Sequence, residues 1–364
     1  MNAIVNTGPG TLEWQTLPTP EPAAGQVRIR TAACGICATD LQMIAGWERT
    51  GFGSIPGHEW SGVVDGVGAG VDASLVGRPC VAENVLADGG EVGFEHPGGY
   101  GQFFLTEARL VHALPADFPL WAAPLIEPLA VCVRAMRRLR GDERDEGVSP
   151  SCLAGILPAR DGEGVLSYSS NQPCGTHNAG ETPASREAPR PALILGDGPI
   201  GLLMLLLLRR AGVETVLVGG RPARLALASA LGASAVMNYH DPADVEHLAK
   251  GNGGFGTVVE ASGGPSAMPA AMRAAGRGAK ILVIGDYGAA RADFPWNQLL
   301  HQELELIGSN ASADAWSAAV ALATGGTLPL ERLITGRLNA RDFAQALELT
   351  RHDRTAVKVV IEWD

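Results

Sequence analysis

Three short segments of this 364-residue chain carry side chains suited to holding a metal ion beside a substrate: Gly35-Ile36-Cys37-Ala38-Thr39-Asp40, Gly57-His58-Glu59 and Leu125-Ile126-Glu127-Pro128-Leu129. Together they offer a thiolate, an imidazole and carboxylates. A catalytic zinc ion takes three protein ligands of these kinds and keeps a fourth position open. Each segment alone is ordinary, since a lone Cys is more often core filler and a lone His-Glu pair a surface accident. Their joint occurrence ahead of a second motif is what points to chemistry.

The second motif is Gly196-Asp197-Gly198-Pro199-Ile200-Gly201, which follows the apolar run Ala192 to Leu195 and opens an apolar helix. In that context G-x-G-x-x-G signals dinucleotide binding: the glycines allow a tight turn, a close approach of backbone to pyrophosphate and close helix packing, and the helix N-terminus favours the phosphates. The alternative is a glycine-rich turn with no ligand. A second strand, Thr215 to Val218, should end on an acidic residue if the cofactor is NAD. The chain reads Val218-Gly219-Gly220-Arg221-Pro222-Ala223-Arg224 instead. Gly219 leaves room, and Arg221 and Arg224 offer guanidinium groups for a 2′-phosphate, which favours NADP. In the competing reading both arginines are solvated residues opening a surface helix, and NAD is accepted.

The elements that must position these groups fall into two kinds. The first 130 residues contain short apolar runs such as Gln26 to Arg30 and Gly62 to Val64 between turn residues, and predict a β-rich domain. From Pro191 the pattern alternates: a strand at 192–195, a helix through Arg210, a strand at 215–218 and a helix from Pro222 to Leu231, then strands near 257–259, 281–284 and 304–307. Alternation of this kind predicts parallel strands with crossover helices, so the fold class is α/β. The tail reads as a helix, Asp342 to Arg351, and a strand, Val357 to Ile361. The expected division is residues 1–133 with 334–364, and 134–333 with an insertion at about 141–190 that has little periodicity. Cys152, Cys174 and His177 fall in that insertion at spacings that match no zinc pattern.

Composition excludes several classes. A formal charge of −11 and no basic stripe argue against nucleic acid or an anionic membrane as partner. The greasiest run, Gly201 to Leu208, is far shorter than the ~20 residues that span a bilayer and reads as a buried helix. Six cysteines in a long chain with no secretory leader read as reduced thiols in a cytoplasmic protein. Cys34, three residues before Cys37, is expected to be a buried thiol, because no thioredoxin-like context surrounds the pair.

The G-I-C-x-T-D, G-H-E, I-E-P-L and G-x-G-P-I-G segments, in this order and spacing, resemble the zinc-containing medium-chain dehydrogenases, with the sorbitol and threonine dehydrogenase branch nearest. The resemblance spans the chain outside the insertion. It implies a GroES-like catalytic domain beside a Rossmann doubly wound domain, an NAD(P)-dependent alcohol or polyol dehydrogenase activity, and a dimer or tetramer. It also implies that Cys37 and His58 are zinc ligands and that Glu59 is a ligand or a carboxylate exchanging with it. Glu127 resembles a glutamate binding the metal directly or through water, Thr39 the hydroxyl that hydrogen-bonds the substrate oxygen, and Asp40 the carboxylate that orients the histidine.

Two departures stand out. Many relatives hold a structural zinc with four cysteines after the position of Cys80, whereas here no cysteine follows until Cys132, so no structural zinc is expected. A histidine that ends a proton relay in some alcohol dehydrogenases is replaced by Gln42. The loop from Gln42 to Gly53, with Trp47 and Phe52, reads either as a substrate wall or as ordinary packing. A zinc-free NADPH-dependent quinone or enoyl reductase and a non-catalytic dinucleotide-binding protein are the rival functions.

Overall fold

The computed structural model describes residues 1–47, 49–141, 190–244, 254–291 and 294–364. Apolar runs in the N-terminal part form strands β1 (Asn2–Gly8), β2 (Thr11–Thr16) and β3 (Gln26–Gly35), helix α1 (Ala38–Ala45), then β4 (Glu59–Val67), β5 (Pro79–Ala82), β6 (Phe103–Glu107) and β7 (Val111–Ala113). Helix α2 (Ile126–Arg140) ends at Gly141, whose left-handed φ of 80° closes it. The alternating part supplies β8 (Ala192–Leu195), α3 (Pro199–Arg210), β9 (Thr215–Gly219), α4 (Pro222–Ala230), β10 (Ala235–Asn238), β11 (Phe255–Glu260), α5 (Ala267–Ala274), β12 (Ala275–Val283), α6 (Trp296–Gln302), β13 (Glu305–Gly308) and α7 (Trp316–Thr324). The tail adds β14 (Ile334–Asn339), α8 (Phe343–His352) and β15 (Lys358–Glu362).

Among the described residues the second group forms a six-stranded parallel sheet in the order β10-β9-β8-β11-β12-β13. The order reverses between β8 and β11, and a crevice opens beyond the strand ends at such a switch point. The Gly196–Gly201 turn sits there, between β8 and α3. Every residue from Gly201 to Leu208 is buried, because α3 lies between the sheet and α2, as a helix apolar on all sides must. Each leucine so enclosed contributes about 1.5–3 kcal/mol.

The other large sheet runs β14-β15-β3-β4-β5-β7, with β6 also on β3. Its long pair is β3 with β4, antiparallel, and it seats Gly35 opposite Glu59. On the other side β15 pairs antiparallel with β3, placing Val360 opposite Gly35 and Ile361 opposite Cys34. The last strand of the chain therefore flanks the segment that leads into Cys37. The expected insertion at about 141–190, with Cys152, Cys174 and His177, lies outside the described residues apart from its two ends. No described helix is long and apolar enough to cross a membrane.

Candidate metal and cofactor site

Cys37 caps α1, and Asp40 in the first turn of that helix ties the site together. One Asp40 oxygen accepts the Cys37 backbone N–H at 2.8 Å, and the other lies 3.1 Å from His58 Nδ1. Asp40 is wholly buried and His58 is 7% exposed. A carboxylate on Nδ1 fixes the ring and its tautomer and leaves Nε2 to face a metal. Burial opposes protonation of His58, but the Asp40 charge and hydrogen bond hold its pKa well above the ordinary value.

Cys37, His58 and Glu59 present ligand atoms that all lie within 4.8 Å of one another. A soft sulfur, an imidazole nitrogen and a carboxylate oxygen at that spacing fit a zinc ion. Thr39 Oγ1 is 3.6 Å from Cys37 Sγ. Glu127, in the first turn of α2, stands outside the three-residue group. Burial, reinforced by the Glu59 and Glu91 charges against the counterpull of His58 and Lys358, pushes its carboxyl up to about 7.

Glu59 is not a free carboxylate. Lys358 Nζ on β15 donates to its two oxygens at 2.8 and 2.6 Å and to the Ile36 carbonyl at 3.3 Å. Lys358 and Glu59 are 3% and 1% exposed. Burial alone would depress Lys358; Glu59, with help from Cys37 and Asp40, holds it above the ordinary lysine value instead. A Cβ at position 35 would stand 2.4 Å from Glu59 Oε2, so the glycine of the G-I-C segment makes room for this pair. Cys34 is a buried thiol, its pKa raised by burial and then by Asp40 and Glu59.

In the dinucleotide turn, Gly196 adopts φ 128°. A Cβ on Gly201 would stand 2.0 Å from the Gly196 carbonyl, whereas one on Gly198, the N-cap of α3, meets nothing within 4 Å. The first contact packs the helix on the turn, and the open space at Gly198 suits an approaching phosphate. Pro199 and Ile200 then form the first turn of the helix, where a missing proline N–H costs nothing. Cys132 on α2 lies 3.7 Å from the Ile200 carbonyl, so the helix that carries Glu127 also braces the cofactor turn.

A cavity of about 410 Å³ adjoins the turn, lined among others by Gly196, Gly219, Arg221, Tyr239 and Ser262. The 3%-exposed Asp197 organises its rim, accepting the backbone N–H of Gly220 at 3.0 Å and of Arg221 at 2.9 Å and pairing with the Arg221 guanidinium at 2.7 Å. Arg221 thus faces the cavity. Arg224 does not: its guanidinium turns to the Ala356 carbonyl and burial lowers its pKa. One helical turn beyond Arg221, it faces the backbone just ahead of β15.

Sequence reasoning passed over Lys358, Asp197, Tyr239 and Phe94. For Lys358 a signal existed, since it is a single charge inside the apolar run Ala356 to Ile361. Phe94, 7% exposed, sets its ring 4.8 Å from that of His58 and tilted 37° to it, and no pattern in its surroundings marks it.

Comparison with known proteins matches this architecture in both parts. Residues 23–116 match the alcohol dehydrogenase GroES-like domain, and residues 199–325 match the zinc-binding dehydrogenase family. An L-threonine 3-dehydrogenase of Rhizobium rhizogenes is 26% identical, the alignment covering 100% of this chain and 99% of that protein. A D-arabitol-phosphate dehydrogenase of Enterococcus avium is 24% identical, covering 100% and 97%. A crystal structure of an alcohol dehydrogenase from Escherichia coli CFT073, complexed with NADH, superposes with a TM-score of 0.81 at 21% identity, covering 100% of this chain and 99% of the other. The chain belongs to the zinc-containing medium-chain dehydrogenase/reductase superfamily. It is an oxidoreductase that transfers a hydride between an alcohol and a nicotinamide cofactor.

Proposed function

We propose that Cys37, His58 and a carboxylate hold the catalytic zinc of an NAD(P)-dependent dehydrogenase for small alcohols or polyols. The observation that carries this reading is the convergence of sulfur, imidazole and carboxylate within 4.8 Å. Bound at these residues, a zinc ion would supply Lewis acidity that makes an alcohol proton easier to lose at neutral pH, and a nicotinamide at the glycine turn would supply the hydride acceptor.

The remaining work belongs to the chain. Asp40 orients His58 and the Cys37 backbone at once. Thr39, partly exposed at the start of α1, is the first hydrogen-bond partner of the substrate hydroxyl and receives its proton. Gln42 has no titratable group to carry that proton further, so its onward path would be water or another group. Glu59, held by Lys358, is the exchanging carboxylate, and Glu127, which has no cationic partner at hydrogen-bonding distance among the described residues, is the third ligand or the one that holds the metal's water. Phe94 and Trp47, whose rings are 6.3 Å apart, wall the site on the His58 side and help exclude water.

The cofactor reading favours NADP, supported by Arg221 at the cavity rim and by the absence of an acidic residue at the end of β9; Arg224 plays no part in it. Gly196, Gly198, Pro199, Ile200, Gly201 and Gly219 form the binding turn. One zinc per chain is expected. Residues 1–133 with 334–364 form the catalytic domain and 134–333 the cofactor domain, a division supported by the two sheets. A homo-oligomer is supported by the sheet's edge strand β13, where Leu306 is 41% exposed, beside α6, where Trp296 and Leu300 are each 69% exposed. Reduced Cys34, Cys37, Cys80 and Cys132 suit a cytoplasmic protein.

Metal analysis of the purified chain beside Cys37→Ala and Glu127→Ala, with cofactor reduction followed over a panel of alcohols and polyols, tests the reading. About one zinc per chain, lost with turnover in the cysteine variant, is the expected result. A metal-free parent that still binds NADPH overturns it in favour of a zinc-free reductase or a silent binding protein.

A further inference from the structure

The backbone that carries His58 is gripped from outside by the turn 91–98. Asn84 Nδ2 donates to the His58 carbonyl at 2.9 Å, and the Asn84 carbonyl accepts the Val92 N–H at 3.0 Å. Gly93, at φ 86°, leaves no room for a side chain: its Cβ would stand 2.5 Å from the Gly57 carbonyl carbon and 2.6 Å from His58 N. A Cβ on Gly98 would stand 2.3 Å from the Gly57 oxygen. From this turn Phe94 lays its ring against the imidazole of His58.

Backbone bonds hold this turn at its two ends, from Val92 N–H to the Asn84 carbonyl and from Gly98 N–H to the Ile55 carbonyl at 2.9 Å, and a side chain from elsewhere engages its middle. Arg49, beyond the end of α1, donates Nε to Glu95 Oε1 at 2.6 Å and one terminal nitrogen to Glu95 Oε2 at 3.0 Å and to Glu91 Oε1 at 2.7 Å. Its guanidinium carbon lies 4.6 Å from the Phe94 ring centroid and 5.5 Å from that of Trp47. Isolated surface ion pairs do little. Here a planar fork engages two carboxylates while its face covers an aromatic ring, an arrangement lysine cannot reproduce. The contacts therefore run from Arg49 over Phe94 to His58, and Nε and one terminal nitrogen of Arg49 hold the side-chain carboxylates of Glu95 and Glu91 on either side of Phe94 in sequence.

We infer that Arg49 is a positioning residue for the metal site: by locking the Glu91–Glu95 turn and Phe94 onto His58 it sets the pose of the metal-binding imidazole. This inference rests on the zinc reading above. Outer groups that orient a liganding histidine carry roughly 10–100-fold in metal affinity, and the same scale applies here.

The experiment measures zinc affinity of the full-length chain by competition with a chromophoric chelator, and the visible bands of the cobalt(II) form, for the parent, Arg49→Met, Arg49→Lys and Glu95→Gln. NADPH binding and thermal midpoint serve as controls on folding. The expected result is an about 10-fold or greater loss of affinity with shifted cobalt bands in Arg49→Met, a smaller loss in Glu95→Gln, partial rescue in Arg49→Lys, and NADPH binding within about twofold of the parent throughout. Zinc affinity and cobalt bands unchanged in Arg49→Met overturn the inference while leaving the zinc reading intact. A parent that takes up no zinc overturns both. If Arg49→Met fails to fold, Glu95→Gln decides in the same way.

Discussion

Replacing Lys358 by methionine isolates what the buried ion pair does. Its partner Glu59 is 1% exposed and receives two hydrogen bonds of 2.6 and 2.8 Å from Lys358. Removing one member of a buried pair strands the other charge and costs about 3–5 kcal/mol, whereas replacing both is often close to neutral. In the metal-free chain Lys358→Met should therefore unfold earlier, by roughly 6–20 °C if the transition behaves as that of a 150–250-residue domain. Lys358→Met with Glu59→Leu should recover most of the loss. Zinc reverses the logic. A divalent cation within reach of Glu59 can take over the stranded carboxylate, so the penalty in Lys358→Met should shrink when zinc is present, and zinc should stabilise this variant more than the parent. The assay is denaturation of the parent, both single variants and the double variant, each with chelator and with zinc. Additive losses in the double variant, or a zinc response equal to the parent's, would refute the claim that Lys358 and Glu59 act as a pair at the metal's edge.

Asp40→Asn keeps the size of the side chain but weakens its hold on His58 Nδ1, and zinc affinity measured by chelator competition should fall about 10–100-fold. Gly201→Ala places a Cβ at 2.0 Å from the Gly196 carbonyl, so fluorescence titration should show NADPH affinity lost, with little change in zinc content. Arg221→Ala should weaken NADPH by about tenfold, on the scale of one charged hydrogen bond, and NADH far less; equal losses for both cofactors would remove the argument for a 2′-phosphate contact. Burial pushes the Cys80 thiol up to about 12 and raises those of Cys34 and Cys132, while Cys37 is partly exposed. Thiol labelling at pH 8 followed by peptide mapping should therefore mark Cys37 before Cys34, Cys80 and Cys132, and zinc should protect it.

The α/β class, the parallel strands and the cofactor turn were legible because each rests on local pattern: apolar runs at strand length, glycines at fixed offsets and a leucine-rich helix. Boundaries were less legible where packing, not local preference, decides. β12 begins at Ala275, six residues before the apolar run at Ile281, because Gly276 and Gly278 interrupt the signal where the strand bulges: Ala275 pairs with Phe255, and the ladder on β11 resumes with Lys280 opposite Thr257. β10 is a four-residue edge strand without a buried residue, and its sequence looks like loop. At the site, the motifs marked Cys37, His58, Asp40 and Glu59, but partners distant in sequence were invisible. Lys358 meets Glu59 across 299 residues, and Arg49 meets Glu95 across 46. Such contacts exist only once β15 lies on β3 and the turn 91–98 lies on Gly57.

These distant partners also explain why the site can hold its charges. Asp40 and Glu59 are buried carboxylates close to His58, and a metal-bound Cys37 would add a thiolate beside them. Unpaired anions so close together in a dry interior repel strongly, and burial penalises each. Lys358 pairs with Glu59 and His58 with Asp40, so each buried carboxylate has a partner, and a Cys37 thiolate formed on metal binding would add a charge for the ion to balance. The arrangement thus gives the two carboxylates different tasks. Asp40, spent on the His58 ring and the Cys37 backbone, is kept off the metal by geometry. Glu59 is kept off it only by a lysine, and it can reach the ion whenever that lysine yields.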